Sequence, residues 1–158
     1  MIAALTIKSL PILLEHLYPE GTNQYFENMS NPSSRPQFIL IAGPYRSNTN
    51  DDPSLIEANY RRMKEVALEL FRMGHLPITG EAIALPLIQV AGSQNLGDAV
   101  WNEIFHPIGR RLVACVDAVL RIGGPSTGAD EMVSLARKAG KAVYFSTAEV
   151  RPNPSLSK

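Results

Sequence analysis

The sequence predicts an α/β protein: a doubly wound parallel sheet of four to five strands with helices on both faces. Three observations carry that reading. Short apolar runs of strand length alternate with longer segments of helical periodicity, the pattern of a parallel sheet with crossover helices. Two of those runs end in Gly/Pro/Ser-rich turns that open helices, Gly43-Pro44-Tyr45-Arg46-Ser47 and Gly123-Gly124-Pro125-Ser126-Thr127. The chain is long enough, at 158 residues, to bury one sizeable core, and 45% hydrophobic with 19% charged residues is ordinary for a globular domain.

Each element follows from local pattern. Phe38 to Ala42 is strand one. Pro53 to Met73 is helix one, with Pro at its pre-organised first position and Gly74 as its stop. Asn59 lies on the helix face marked by Leu55, Met63, Val66 and Leu70, and reads as a solvated residue in preference to one pointing up towards the ligand edge. His75 to Thr79 is strand two, with His75 a structural histidine. A helix over Ala82 to Val90 carries Pro86 as a kink or break. Asp98 to Ala114 forms a helix that bends or restarts at Pro107, its apolar side made of Trp101, Ile104, Phe105, Ile108 and Leu112. Val116 to Ile122 is strand three, Thr127 to Ala139 the last long helix, and Ala142 to Ser146 strand four. Right-handed crossovers order the strands 2-1-3-4, a flavodoxin- or Rossmann-like arrangement. Residues 1–35 read as an N-terminal extension and linker, 36–148 as the domain, and 149–158 as a flexible tail.

The winding reverses between strands one and three, and ligands bind at that reversal, outside the carboxyl ends of the strands. Both Gly-rich turns border it. At the first, Gly43 allows close backbone approach, Tyr45 offers a flat face with a hydroxyl tip, and Arg46 offers a planar fork of donors beside Ser47. At the second, Ser126 or Thr127 caps a helix whose first N–H groups favour an anion or a sugar oxygen, with Gly128 beside them and Asp130 and Glu131 in the first turn. Glu81 follows strand two and falls on the same edge. Glu103 and His106 flank Trp101 on one helix, either as acid/base machinery or as a surface pair.

Composition excludes several classes. Fifteen basic and fifteen acidic residues give no electrostatic footprint for duplex nucleic acid. There is no GxxxxGK[ST] and no GxGxxG, so a P-loop nucleotidase and a standard dinucleotide site are disfavoured. No CxxC or HExxH occurs, the three histidines are scattered, and neither a metal nor a cofactor is expected. The single cysteine, Cys115, reads as a buried apolar filler. Met1 to Leu17 is apolar but too short and interrupted to span a membrane, and the expected location is cytoplasmic.

The run Ile41-Ala-Gly-Pro-Tyr-Arg-Ser, the Gly74-His-Leu-Pro after helix one, Cys115-Val-Asp-Ala-Val-Leu, and Ser126-x-Gly-Ala followed by Ala136 and Gly140-Lys141 together resemble the nucleoside 2-deoxyribosyltransferase-like family, in particular its small bacterial and phage branch. The resemblance covers roughly Phe38 to Phe145. It implies cleavage or exchange of the N-glycosidic bond of a nucleoside or nucleotide, a glutamate nucleophile on the last helix, an aromatic after strand one, an acid on strand three, and a homodimer. Tyr45 falls near the aromatic and Asp117 at the strand-three acid. Met132 falls where the nucleophilic glutamate belongs, with Glu131 one residue early, a rotation of about 100° around a helix. Glu131 or Glu81 would then be the catalytic carboxylate, Asp117 and Tyr45 the positioning groups, and Glu103 or His106 the second acid. The competing readings are a non-catalytic nucleotide-binding or sensing module, which Met132 favours, and a phosphate-handling enzyme that uses the two anion-ready turns.

Overall fold

The computed structural model describes residues 35–153. Contacts divide the chain into Met1–Arg35 and Pro36–Lys158, and the expectations for the N-terminal extension lie outside the described residues. Four parallel strands, β1 (Phe38–Ala42), β2 (Leu76–Thr79), β3 (Ala118–Arg121) and β4 (Ala142–Tyr144), pair in the order β2-β1-β3-β4. Ile39 lies opposite Pro77 on one side and Ala118 on the other, so β1 is central and its carboxyl end meets that of β3. Helices α1 (Pro53–Arg72), α2 (Gly80–Val90), α3 (Ala99–Cys115) and α4 (Thr127–Lys138) connect them, and a short 3-10 turn spans Thr147–Glu149.

Period-two alternation along β1 decides what each face receives. Ile39 and Ile41 point to the side where Met63, Val66 and Leu70 of α1 pack, with Leu120 and Val150. Leu40 and Ala42 point to the other side, against Leu112 and Val113 of α3 and Met132, Val133 and Ala136 of α4. Each of the larger of these side chains contributes about 1.5–3 kcal/mol by leaving water, and β1 and β3, buried on both faces, are accordingly apolar up to Arg121 at the end of β3. A smaller cluster joins α2 to α3 through Ala84, Ile88 and Trp101. The face of α3 that carries Trp101 is thus internal packing and is not free for a partner subunit.

The helices start on side-chain caps that the sequence supplies. Asp52 accepts from the Ser54 backbone N–H at 2.8 Å, Thr79 from Ala82 at 3.2 Å, Asp98 from Trp101 at 2.7 Å and Ser126 from Ala129 at 3.3 Å. Asp98 also receives Gln94, Asn95 and Ser93, and the Trp101 bond foremost, with these beside it, lowers its carboxyl to about 2. Gly74, with φ of 85°, closes α1 in the left-handed region, as a C′ glycine does.

Several expectations are corrected. Pro86 and Pro107 sit inside uninterrupted helices, so neither a break at the first nor a restart at the second occurs. Strand β3 begins at Ala118, so Asp117 precedes it. Cys115 ends α3 and is exposed. The chain after Glu149 is not free up to residue 153. Val150 is buried, Asn153 N–H donates to the Met73 carbonyl at 2.7 Å, and the Arg151 carbonyl receives His75 Nε2 at 2.8 Å. The other ring nitrogen of His75 accepts from Gln37 N–H at 3.2 Å, which makes His75 a structural link between β1, β2 and the C-terminal segment. Among the described residues no helix is long and apolar enough to cross a membrane.

Candidate functional site

A cavity of about 450 Å³ opens at the carboxyl edge of the sheet, within the size range of small-molecule sites. Its floor is the end of β1, Leu40 to Ala42. One wall is the loop after β1, which contributes Gly43, Tyr45, Arg46, Ser47, Asn48, Asn50 and Asp51. Gly80 and Glu81 enter from the start of α2; Trp101, Phe105, His106 and Gly109 from α3; and Ser126, Gly128, Ala129 and Met132 from the start of α4. The crossover rule therefore brings together four segments that are far apart in sequence.

Glu81 is the chemically distinctive group. It sits in the first turn of α2 and is 7% exposed. Burial disfavours its charged form and pushes the carboxyl up from 4.5 to about 7, against the opposing pull of its own backbone N–H and the Thr79 hydroxyl. Burial and then the Glu81 charge raise the Tyr45 hydroxyl above its ordinary range, so the two side chains share one electrostatic environment.

Aromatic rings line the adjoining wall. Tyr45 stacks on Trp101 with centroids 6.2 Å apart and lies 5.5 Å from Phe105, while Trp101 and Phe105 are 5.0 Å apart. Tyr60 of α1 meets Tyr45 edge-on at 6.0 Å. Asn59, expected in solvent, instead donates from Nδ2 to the Tyr45 carbonyl at 3.0 Å and holds the loop to α1.

The loop itself is unusual. Asn48, Asn50 and Asp51 have φ of 61°, 49° and 59°. Left-handed backbone is uncommon for residues other than glycine, and Asn and Asp tolerate it best. Thr49, 2% exposed, anchors the bend, its hydroxyl donating to the Arg46 carbonyl at 2.7 Å and accepting from Asp51 N–H at 3.2 Å. The bend returns Asp51 to Arg46 in a two-pronged pair, Nε to Oδ1 at 2.9 Å and Nη2 to Oδ2 at 2.9 Å. The Arg46 guanidinium also lies 5.9 Å from the Trp101 ring centroid. That pairing holds the Asp51 carboxyl below the usual carboxylate range.

Other sequence-predicted residues are placed elsewhere. Asp117 lies at the amino edge of the sheet, where its Oδ2 accepts from Phe38 N–H at 2.8 Å, and the whole length of β3 separates it from the cavity at the carboxyl edge. Glu131 turns towards α3 and pairs with Arg110 Nε at 2.7 Å, and Met132 faces the cavity in its place. Met132 sulfur fits against Gly109, where a Cβ would approach to 3.1 Å. Asp130 pairs with Arg121 Nε at 2.8 Å, and Arg121 also donates to the carbonyls of Ile122 and Gly124, tying down the turn after β3. Glu103 is exposed and lies outside the cavity wall, whereas His106 is on it. Gly43 lines the cavity, but its lack of a side chain is needed for packing: a Cβ there would come within 3.1 Å of Ile122 and Met63.

Sequence reasoning missed Asp51, Asn48 and Asn50, although the polar run Asn48-Thr-Asn-Asp-Asp is rich in the residues that tolerate left-handed backbone. It assigned Trp101 and Phe105 to a helix face without seeing that the face ends at the cavity. Gly109, seven residues before Val116, gave no signal beyond being a glycine inside a helix. No family model matches the chain, and no curated protein is significantly similar to it.

Proposed function

We propose that the chain cleaves or exchanges the N-glycosidic bond of a nucleoside or nucleotide, with Glu81 as the carboxylate that faces the anomeric carbon. The observation that carries the reading is a carboxyl group of pKa about 7, nearly sealed from water, in a ligand-sized cavity walled by Tyr45, Trp101 and Phe105. Flat aromatic walls suit a base, and a carboxylate in a low-dielectric setting is strongly favoured beside a developing oxocarbenium centre. In the reaction the C1′–N bond breaks and its electron pair leaves on the base. Ionised Glu81 stabilises or captures the sugar carbon, and water or an acceptor base then releases the sugar and restores the carboxylate. The Tyr45 hydroxyl, at the tip of the ring that faces the base, bonds the sugar, and His106 carries a proton to the departing base. Ser47, Asn48 and Ser126 supply neutral polar groups for sugar hydroxyls.

The second reading, a non-catalytic nucleotide-binding module, has one observation in its favour: Met132 faces the cavity from the helix on which the resembling family carries its nucleophile, and Glu131 is turned away to Arg110.

Release of free base from a panel of nucleosides and 5′-monophosphates separates the two. The wild type is expected to release base with a rate that rises through about pH 7, as Glu81 ionises. Glu81→Gln is expected to lose at least about a hundredfold, while Glu131→Gln retains the activity. Undiminished release by Glu81→Gln would refute the assignment, and no release from any substrate, with binding intact, would favour the binding module.

A further inference from the structure

We propose that the cavity is built for an uncharged nucleoside and discriminates against its 5′-phosphate, because Asp51 already neutralises the fixed positive charge on its wall. This inference rests on the reading of the cavity as a nucleoside site and narrows it to one substrate class.

Among the described residues that line the cavity, Arg46 alone carries a permanent positive charge, and no lysine joins it. A planar guanidinium beside a helix start would ordinarily be the phosphate contact. Here the Nε–Nη2 edge of the guanidinium is taken by Asp51, both bonds at 2.9 Å. The arrangement is held from several sides. The guanidinium is placed over Trp101. Gly97 backs it so closely that a Cβ at that position would meet Nη1 at 2.7 Å. Three consecutive-range left-handed residues, Asn48, Asn50 and Asp51, bend the chain to deliver the carboxylate. A backbone conformation of that cost persists where the surroundings enforce it.

With the Arg46 charge paired to Asp51, what remains facing an incoming group is Glu81, His106 and a set of neutral amides and hydroxyls, Ser47, Asn48, Asn50 and Ser126. A phosphate would have to displace Asp51 from its partner or sit beside that carboxylate, with no unpaired lysine or arginine among the described lining residues to receive it. A neutral sugar faces neither penalty, and its hydroxyls match the amide and hydroxyl side chains.

The test compares base release and thermal stabilisation for nucleosides and their 5′-monophosphates in the full chain and in Asp51→Asn. Asparagine keeps the shape and tolerates left-handed backbone, but leaves the Arg46 charge uncompensated. The wild type is expected to prefer nucleosides by at least about tenfold in kcat/KM, and Asp51→Asn to narrow that gap by about tenfold, the worth of one charge-assisted contact. A wild type that prefers monophosphates would overturn this inference and leave the glycosidic reading standing. No base release from either class, with nucleosides raising the melting temperature more than monophosphates, would overturn the glycosidic reading and support the neutral-ligand inference. A gap unchanged in Asp51→Asn, in base release and in thermal shift alike, would remove Asp51 as its cause.

Discussion

Replacing Glu81 with glutamine should abolish a defined part of the pH dependence of folding. In the folded chain burial raises this carboxyl from 4.5 to about 7. A group whose pKa is raised on folding binds its proton more tightly in the native state, so its contribution to stability is complete below about pH 4.5 and is lost as pH rises through about 7. The displacement corresponds to about 3 kcal/mol between the two limits. At 7% exposure there is little solvent to screen that cost. Glutamine is nearly isosteric and never ionises. Urea unfolding of wild type and Glu81→Gln across about pH 4 to 8 gives two stability curves, and their difference removes the titration of all other groups that the two proteins share. The variant is expected to gain on the wild type by about 3 kcal/mol across this range, with the change centred between the two pKa values. A difference that stays flat with pH would mean that Glu81 is solvated in the folded state, and the chemical argument for the cavity would fall with it.

Two further substitutions probe the frame around the site. Asn59→Ala removes the bond to the Tyr45 carbonyl; it is expected to cost about 1 kcal/mol of stability and to weaken ligand binding, read by chemical denaturation and by titration of a nucleoside. Asp117→Ala removes the acceptor for Phe38 N–H at the opposite edge of the sheet; it is expected to cost about 2 kcal/mol with base release per folded molecule unchanged, and a selective loss of activity would return Asp117 to the site.

What was legible in the sequence and what was not divides along physical lines. The strand order follows from short apolar runs, helical connections and the right-handed crossover, each of which is a local or chiral rule. The cavity's position follows from that order, because β1 has β2 on one side and β3 on the other. The roles of individual acids did not follow, since they depend on phase. Asp117, before the first residue of β3, stands at the amino end of the sheet, opposite the cavity edge. One residue of helical rotation gives the cavity to Met132 and sends Glu131 to Arg110. The Arg46–Asp51 pair was hidden for a different reason: it exists only because three non-glycine residues adopt left-handed backbone, which no periodicity announces.

These placements change where chemistry can occur. In the resembling family the nucleophile belongs to the helix after strand three, but here that helix turns a thioether towards the cavity and seats it against Gly109. The buried acid arrives instead from the first turn after β2, on the other flank of β1. On the proposed reading the anomeric carbon therefore lies towards the β2 side of the crevice, with the base against the Tyr45, Trp101 and Phe105 wall and the sugar beneath the loop that carries Asn48 and Asp51. An acid in that position is tolerated in its proton-bound form and acts in its ionised form, when a sugar carbon takes on positive charge. Burial that raises the pKa to about 7 serves both, because the neutral and charged forms are then both populated near neutral pH and the charged form is most valuable when a cation develops beside it.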